Sequence, residues 1–307
     1  MTETSAPDAR SYPSDAPTAP ALPLLADPNL WADGDRFYLF PTTDGIPEWA
    51  ATSFRAYSSP DLVHWDDHGV ILALGTDVRW VRDRAWAPTI ATRSGKYFFY
   101  FSADDNIGVA VGDSPTGPFD DIDKPLVASG DFEGRAIDPS TFTDVDGTVY
   151  LLWGNEVAHI VPLGEDMVSF DPREVRSWVP TGFREAAWIH RRDGIYYLSW
   201  SVNDTRSPDY QVHYASAPSP YGPWSDHGVL LEQAPERDIY ATGHHSITNV
   251  PGTDEWVIAY HRFAIPDGDG FHREVVFDRL IHRADGSIEP LNPSIGSLRF
   301  PLHPPTE

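Results

Sequence analysis

The apolar positions of this chain fall in short aromatic runs, each placed just after a turn signal. Asp33-Gly34 precedes Phe37-Tyr38-Leu39-Phe40, Ser94-Gly95 precedes Tyr97-Phe98-Phe99-Tyr100, and Asp146-Gly147 precedes Val149-Tyr150-Leu151-Leu152-Trp153. The unit returns at Asp193-Gly194 with Tyr196-Tyr197-Leu198-Ser199-Trp200, and at Thr253-Asp254-Glu255 with Trp256-Val257-Ile258-Ala259-Tyr260. Asp-Gly between β-prone runs is a hairpin signal. The four glycines lie 61, 52 and 47 residues apart, a loose period suited to a four-stranded unit with loops of varying length.

A second repeat closes the units. Trp65-Asp66-Asp67-His68-Gly69-Val70-Ile71-Leu72 is nearly copied by Trp224-Ser225-Asp226-His227-Gly228-Val229-Leu230-Leu231, and Ser114-Pro115-Thr116-Gly117-Pro118-Phe119 matches Ser219-Pro220-Tyr221-Gly222-Pro223-Trp224. Long helical periodicity is absent, and 29 prolines with 23 glycines would interrupt it. Repeated four-stranded sheets set radially form a β-propeller. The expectation is an all-β, five-bladed propeller over residues 21–307, preceded by a flexible tail over 1–20 that is rich in Pro, Ala, Ser and Thr. A two-sheet sandwich would leave both repeats as coincidence.

Composition narrows the function. The chain has 22 Lys+Arg against 46 Asp+Glu, a formal net charge of −24, which excludes nucleic acid as a default partner because phosphate binding needs a basic footprint. It has no cysteine, so disulfides, thiolate metal sites and cysteine nucleophiles are excluded. No apolar run approaches the roughly 20 residues that span a bilayer, so no membrane partner is expected. The first twenty residues lack the apolar core of a signal peptide, and the expected compartment is the cytoplasm. Aromatic residues make up 13% of the chain, with 11 Trp and 13 Tyr, enough to fill a core and furnish a binding surface.

The candidate chemistry lies just upstream of the hairpins, where the innermost strand of each blade lines the central channel. There the chain carries Asp27-Pro28, Trp86-Ala87-Pro88, Asp138-Pro139, Glu185-Ala186 and His244-His245. Asp138 and Glu185 both precede their turn glycine by nine residues and Asp27 by seven, so equivalent positions should point at one axis. Each residue also has a plainer reading: Asp before Pro initiates turns, Glu185 beside Arg184 makes a surface pair, and His244 can be a hydrogen-bonded core histidine. Their shared place in the repeat favours convergence. Paired carboxylates are what glycosidic cleavage requires, a proton donor to the leaving oxygen and a second group as nucleophile or as base for water. A third carboxylate helps keep the donor protonated near neutrality.

These segments resemble glycoside hydrolase family 43. The resemblance runs from about Asp27 to Asn292 and is carried by Ala26-Asp27-Pro28, Trp86-Ala87-Pro88, Ile137-Asp138-Pro139-Ser140-Thr141-Phe142, Glu185 before Arg192-Asp193-Gly194, Thr242-Gly243-His244-His245-Ser246, Tyr260-His261-Arg262 and His272-Arg273-Glu274. It implies an inverting mechanism with Asp27 as general base, Glu185 as general acid and Asp138 raising the pKa of Glu185 and orienting it. It further implies a hydrated calcium ion in the channel beside His244, no organic cofactor, and substrate contacts from Arg273 and Trp86; His245 is expected among the substrate-binding residues. Thr89 departs from the acidic residue that many members carry after Trp-Ala-Pro. The expected activity is exo-acting release of terminal α-L-arabinofuranose from small oligosaccharides, with β-D-galactofuranosidase and β-D-xylosidase as alternatives within the family. A non-catalytic sugar-binding propeller would have no need of all three carboxylates. A retaining fructan-type hydrolase shares a segment like Asp27-Pro28-Asn29 but calls for a Glu-Cys pair, which this chain lacks.

Overall fold

The five aromatic runs become the second strands of five antiparallel sheets. The structure, a computed structural model, describes residues 22–296 and 298–300; the tail expected over 1–20 lies outside the described residues. Blade 1 is β1 (Leu25–Asp33), β2 (Arg36–Thr43), β3 (Ser53–Ser59) and β4 (Asp66–Ala73). Blade 2 is β5 (Ala85–Arg93), β6 (Lys96–Ala103), β7 (Asn106–Gly112) and β8 (Phe119–Asp121), and blade 3 is β9 (Ser140–Thr143), β10 (Val149–Trp153), β11 (Ala158–Pro162) and β12 (Arg176–Trp178). Blade 4 is β13 (Phe183–Arg192), β14 (Ile195–Val202), β15 (Gln211–Ala217) and β16 (Ser225–Leu231), and blade 5 is β17 (Gly243–Asn249), β18 (Trp256–Phe263) and β19 (Arg273–Leu280). Within each sheet, strands pair in chain order. The architecture is the five-bladed β-propeller.

The apolar runs are dense because their strands are buried on both faces, and alternation then sends neighbours to opposite blades. On β6, Phe99 and Phe101 pack with Phe40 and Phe54 of blade 1, while Phe98 and Tyr100 pack with Leu151 and Trp153 of blade 3. On β14, Leu198 and Trp200 face blade 3 and Tyr197 faces blade 5. The ring closes the same way, with Leu30, Phe37 and Leu39 of blade 1 against Val257, Ala259 and Phe277 of blade 5. Five apolar clusters thus sit between five pairs of blades, each large buried side chain stabilising its interface by about 1.5–3 kcal/mol.

The second repeat forms the outermost strands β4 and β16 with matching local bonds. Gly69 N–H donates to Asp67 Oδ1 and Gly228 N–H to Asp226 Oδ1, both at 2.8 Å. His68 Nε2 lies 2.8 Å from Ser58 Oγ, and His227 Nε2 lies 2.8 Å from Ser216 Oγ. Blade 5 departs from the four-stranded expectation. After β19 the chain returns to blade 4, where Leu291 bridges Leu231 in parallel and its N–H donates to Leu230 O at 2.7 Å. Pro290 and Pro293 flank that bridge, and proline cannot supply the ladder donors of a regular fourth strand.

Candidate active site

The innermost strands β1, β5, β13 and β17 each carry a bulge, with register breaks between Ala26 and Asn29, Trp86 and Thr89, Glu185 and Trp188, and Gly243 and Ser246. At these bulges, and just before β9, one residue per blade has a positive φ: Asp27 (49°), Ala87 (41°), Asp138 (59°), Ala186 (58°) and His244 (45°). A non-glycine residue there costs about 1–3 kcal/mol and persists only when its surroundings fix it. The neighbouring blade does so. The N–H of Ala87 donates to Thr42 Oγ1 (2.7 Å), that of Asp138 to Ser102 Oγ (2.8 Å), that of His244 to Ser201 Oγ (2.9 Å) and that of Asp27 to His261 Nδ1 (3.2 Å). Each acceptor lies on the second strand of the preceding blade. In blade 4 the Ala186 N–H donates to the carboxylate of Asp138 itself.

This register corrects one expectation. Asp138 is the counterpart of Ala186, and Glu185 stands one residue earlier, at the position of Trp86 and Ile137. The equal nine-residue spacing to the turn glycine misleads because the blade 3 hairpin turns through residues 144–148, whereas blade 4 turns through Asp193 and Gly194 alone.

Asp27, Asp138, Glu185, His244, Arg273 and Trp86 meet in one pocket, joined by Trp49, Arg135, Ile137 and Thr205. His245 does not line it. Successive strand residues point in opposite directions, so His244 faces the pocket while His245 turns into the axis below, its Nε2 2.6 Å from Ser199 Oγ.

The three carboxyl groups sit in different fields. Burial works against the charge of Asp27, but His244 Nδ1 (3.2 Å) and the guanidinium of Arg273 (Nη1 at 3.4 Å) face its Oδ1 and hold its pKa well below the usual carboxylate range. Burial also pushes His244 down and His261 to about 4, so Arg273 is the permanent cation of the group. Burial raises Glu185 with help from the charge of Asp27, against the opposing effects of Tyr210, Arg184 and Asn155. Asp138 is raised well above the usual range by burial and by the charges of Glu185 and Asp27. Two raised carboxyl groups this close titrate as a pair.

Several site residues were not legible in the motifs. Tyr210 Oη donates to Glu185 Oε1 at 2.9 Å, and Asn155 Nδ2 donates to Oε2 at 2.8 Å. Asp44 accepts from Arg273 three times, from the backbone N–H (2.7 Å), Nε (3.0 Å) and Nη2 (2.9 Å). Thr205 Oγ1 accepts from Arg273 Nη1 at 3.2 Å and lies 3.1 Å from His261 Nε2. Trp86 Nε1 donates to Trp49 O at 2.7 Å and Trp49 stacks on Phe271, linking blades 1, 2 and 5 into one wall. Arg135, paired with Asp105, lies over Trp86. The Arg273–Asp44 pair is buried on both sides, and removing one partner of such a pair costs about 3–5 kcal/mol. Asp44→Ala is therefore expected to lower the unfolding free energy by about that amount, read from the denaturant midpoint.

The model of glycosyl hydrolases family 43 matches residues 18–288. The chain belongs to that family. It is 35% identical over 285 residues to a β-D-galactofuranosidase of Aspergillus niger, covering 87% of this chain and 82% of the relative. It is 31% identical over 277 residues to an arabinoxylan arabinofuranohydrolase of Bacillus subtilis, covering 76% and 53% of the two chains. Among solved structures, a family 43 β-xylosidase/α-arabinofuranosidase from a compost microbial metagenome, in a calcium-free form with xylotriose, superposes with a TM-score of 0.76 at 29% identity, covering 89% of this chain and 96% of that one.

Asp138, Glu185 and His244 offer ligand atoms within 4.8 Å of one another. Calcium takes six to eight oxygen ligands, so two carboxylates and one imidazole do not cage it. Water is the natural intermediary: the axial cavity under His244 is lined by Asn29 and His245, whose buried Oδ1 and Nδ1 atoms have no hydrogen-bond partner among the described residues and suit a water of a hydrated ion.

Proposed function

We propose that the protein is an inverting, exo-acting glycoside hydrolase that releases terminal α-L-arabinofuranose from oligosaccharides. The observation that carries this reading is the contrast between two carboxyl groups lining one pocket: Asp27 is held charged, and Glu185 is pushed toward its protonated form. Glu185 gives its proton to the glycosidic oxygen as the bond to the anomeric carbon breaks. Asp27 takes a proton from water, whose oxygen bonds to that carbon from the opposite face. The charge of Asp27 helps keep the proton on the acid, Asp138 titrates with the acid as a pair, and Arg273 with Trp86 and Trp49 bounds the space for one terminal ring. His244, Asn29 and His245 would hold a hydrated cation, which would supply positive charge to the field of the carboxyl groups. Turnover leaves Asp27 protonated and Glu185 charged, and exchange with solvent restores the pair.

Two named relatives support a furanoside, the galactofuranosidase and the arabinofuranohydrolase. β-D-Galactofuranose has the ring configuration of α-L-arabinofuranose with one further exocyclic carbon, and this makes β-D-galactofuranosidase the second reading. A panel of nitrophenyl α-L-arabinofuranoside, β-D-galactofuranoside and β-D-xyloside tests the choice: the highest kcat/KM is expected on the arabinofuranoside, and a higher value on either other glycoside replaces it. Sugar binding without hydrolysis of any of the three would leave only a binding propeller.

The pH profile follows from the two environments. Activity needs Asp27 charged, so it rises as pH passes upward through a pKa below the usual carboxylate range. It needs Glu185 protonated, so it falls as pH passes through the raised pKa of the Asp138–Glu185 pair. A bell-shaped kcat/KM profile with an alkaline limb displaced upward from an ordinary carboxyl group is expected; an alkaline limb in the ordinary carboxylate range would count against Glu185.

A further inference from the structure

We propose that Tyr210 is the positioning residue of the acid, fixing the Glu185 carboxyl group in the orientation from which its proton reaches the leaving oxygen. The proposal rests on the reading of Glu185 as the acid. Both carboxyl oxygens are engaged, Oε1 by Tyr210 Oη and Oε2 by Asn155 Nδ2, and the donors come from different blades, which fixes the plane of the group. Both contacts donate to Glu185, and the carboxyl oxygens keep further lone-pair directions, so the acid's own proton stays free to point at the leaving oxygen. Tyr210 therefore stays bonded to Glu185 on both sides of the proton transfer.

The phenol is itself seated firmly. Tyr210 is fully buried, and its N–H donates to Ser207 O at 3.0 Å. Its ring stacks on the imidazole of His261, with centroids 5.6 Å apart and planes 12° from parallel. The opposite constraint is Gly243, where a Cβ would come within 2.2 Å of a ring carbon. Gly243 has no positive φ, so its missing side chain makes room for the ring. His261 in turn lies 3.1 Å from Asp27 Oδ1. One stack thus runs from the base side of the pocket to the acid.

Tyr210→Phe keeps the ring in its seat and removes only the hydroxyl. Measured beside Glu185→Gln, it is expected to lower kcat on an arabinofuranosyl disaccharide by about 10- to 100-fold with KM little changed, and to leave kcat on a dinitrophenyl arabinofuranoside within about twofold, since that leaving group needs no proton. A purely structural role would lower both rates together with the melting midpoint, and equal losses on the two substrates overturn the proposal. If Glu185→Gln discriminates between the substrates and Tyr210→Phe does not, the proposal alone falls. If Glu185→Gln loses both equally, the acid assignment fails and takes the proposal with it.

Discussion

Glu185→Gln is expected to lower kcat/KM on an arabinofuranosyl disaccharide by about 10²–10⁴-fold, the usual weight of general acid catalysis, and to spare substrates whose leaving group departs as a stable anion. The amide fits the site: its oxygen can accept from Asn155 Nδ2, and its nitrogen can donate to Tyr210 Oη, which accepts as readily as it donates. The change therefore removes a titrating proton without leaving a buried donor facing another donor. Arg184, whose Nε is 4.0 Å from Glu185 Oε2, keeps its contacts with Glu156 and Asp204. The measurement is a pair of kcat/KM ratios, wild type over variant, on the disaccharide and on a dinitrophenyl glycoside. Similar ratios would remove Glu185 from the acid role.

The propeller was legible because its physics repeats. Each blade buries both faces of its second strand, so Phe98 to Phe101 reads as an unbroken apolar run and Tyr196 to Trp200 as one broken only by Ser199, and four of the five turn signals before such runs carry glycine. The inner-strand residues Asp27, Trp86, Asp138, Glu185 and His244 were legible for the same reason, and the structure brings all of them to one pocket. What the sequence hides is the exact register. A longer turn in blade 3 made Asp138 and Glu185 look equivalent, and the alternation of side chains around the β17 bulge separates His244 from His245. Tyr210, Asn155, Asp44 and Thr205 carry no signal of their own, since each reaches the site from outside the innermost strand or from another blade. Their contacts span 25 to 229 residues of sequence, and only the closed ring makes them neighbours.

The bulge residues tie stability to chemistry. The positive φ at Asp27, Asp138 and His244 aims these side chains at the axis, and the N–H bonds that secure the conformation run between blades. The pocket is therefore braced by the interfaces that close the ring, and a change at Ser102, Ser201 or His261 acts on the position of a pocket residue as well as on blade packing.

Asp27→Ala tests the other half of the proposed chemistry. The backbone accepts alanine at this position, because Ala87 and Ala186 hold the equivalent place with φ of 41° and 58°. Arg273 is not stranded, since Asp44 still binds its Nε and Nη2, and His261 still receives the backbone N–H of residue 27. The expected loss, about 10²–10⁴-fold, is therefore one of water activation, and it should be as large on an activated aryl glycoside as on a disaccharide, because a better leaving group does nothing for the attacking water. Azide needs no base, so adding it should restore turnover of the aryl α-L-arabinofuranoside and yield the β-azide. In the wild-type protein, proton NMR taken before mutarotation should likewise find the β anomer formed first from the α-glycoside, since a base that activates water places the new bond opposite the old one. A retained anomer, or transfer to added methanol, would make Asp27 a nucleophile instead.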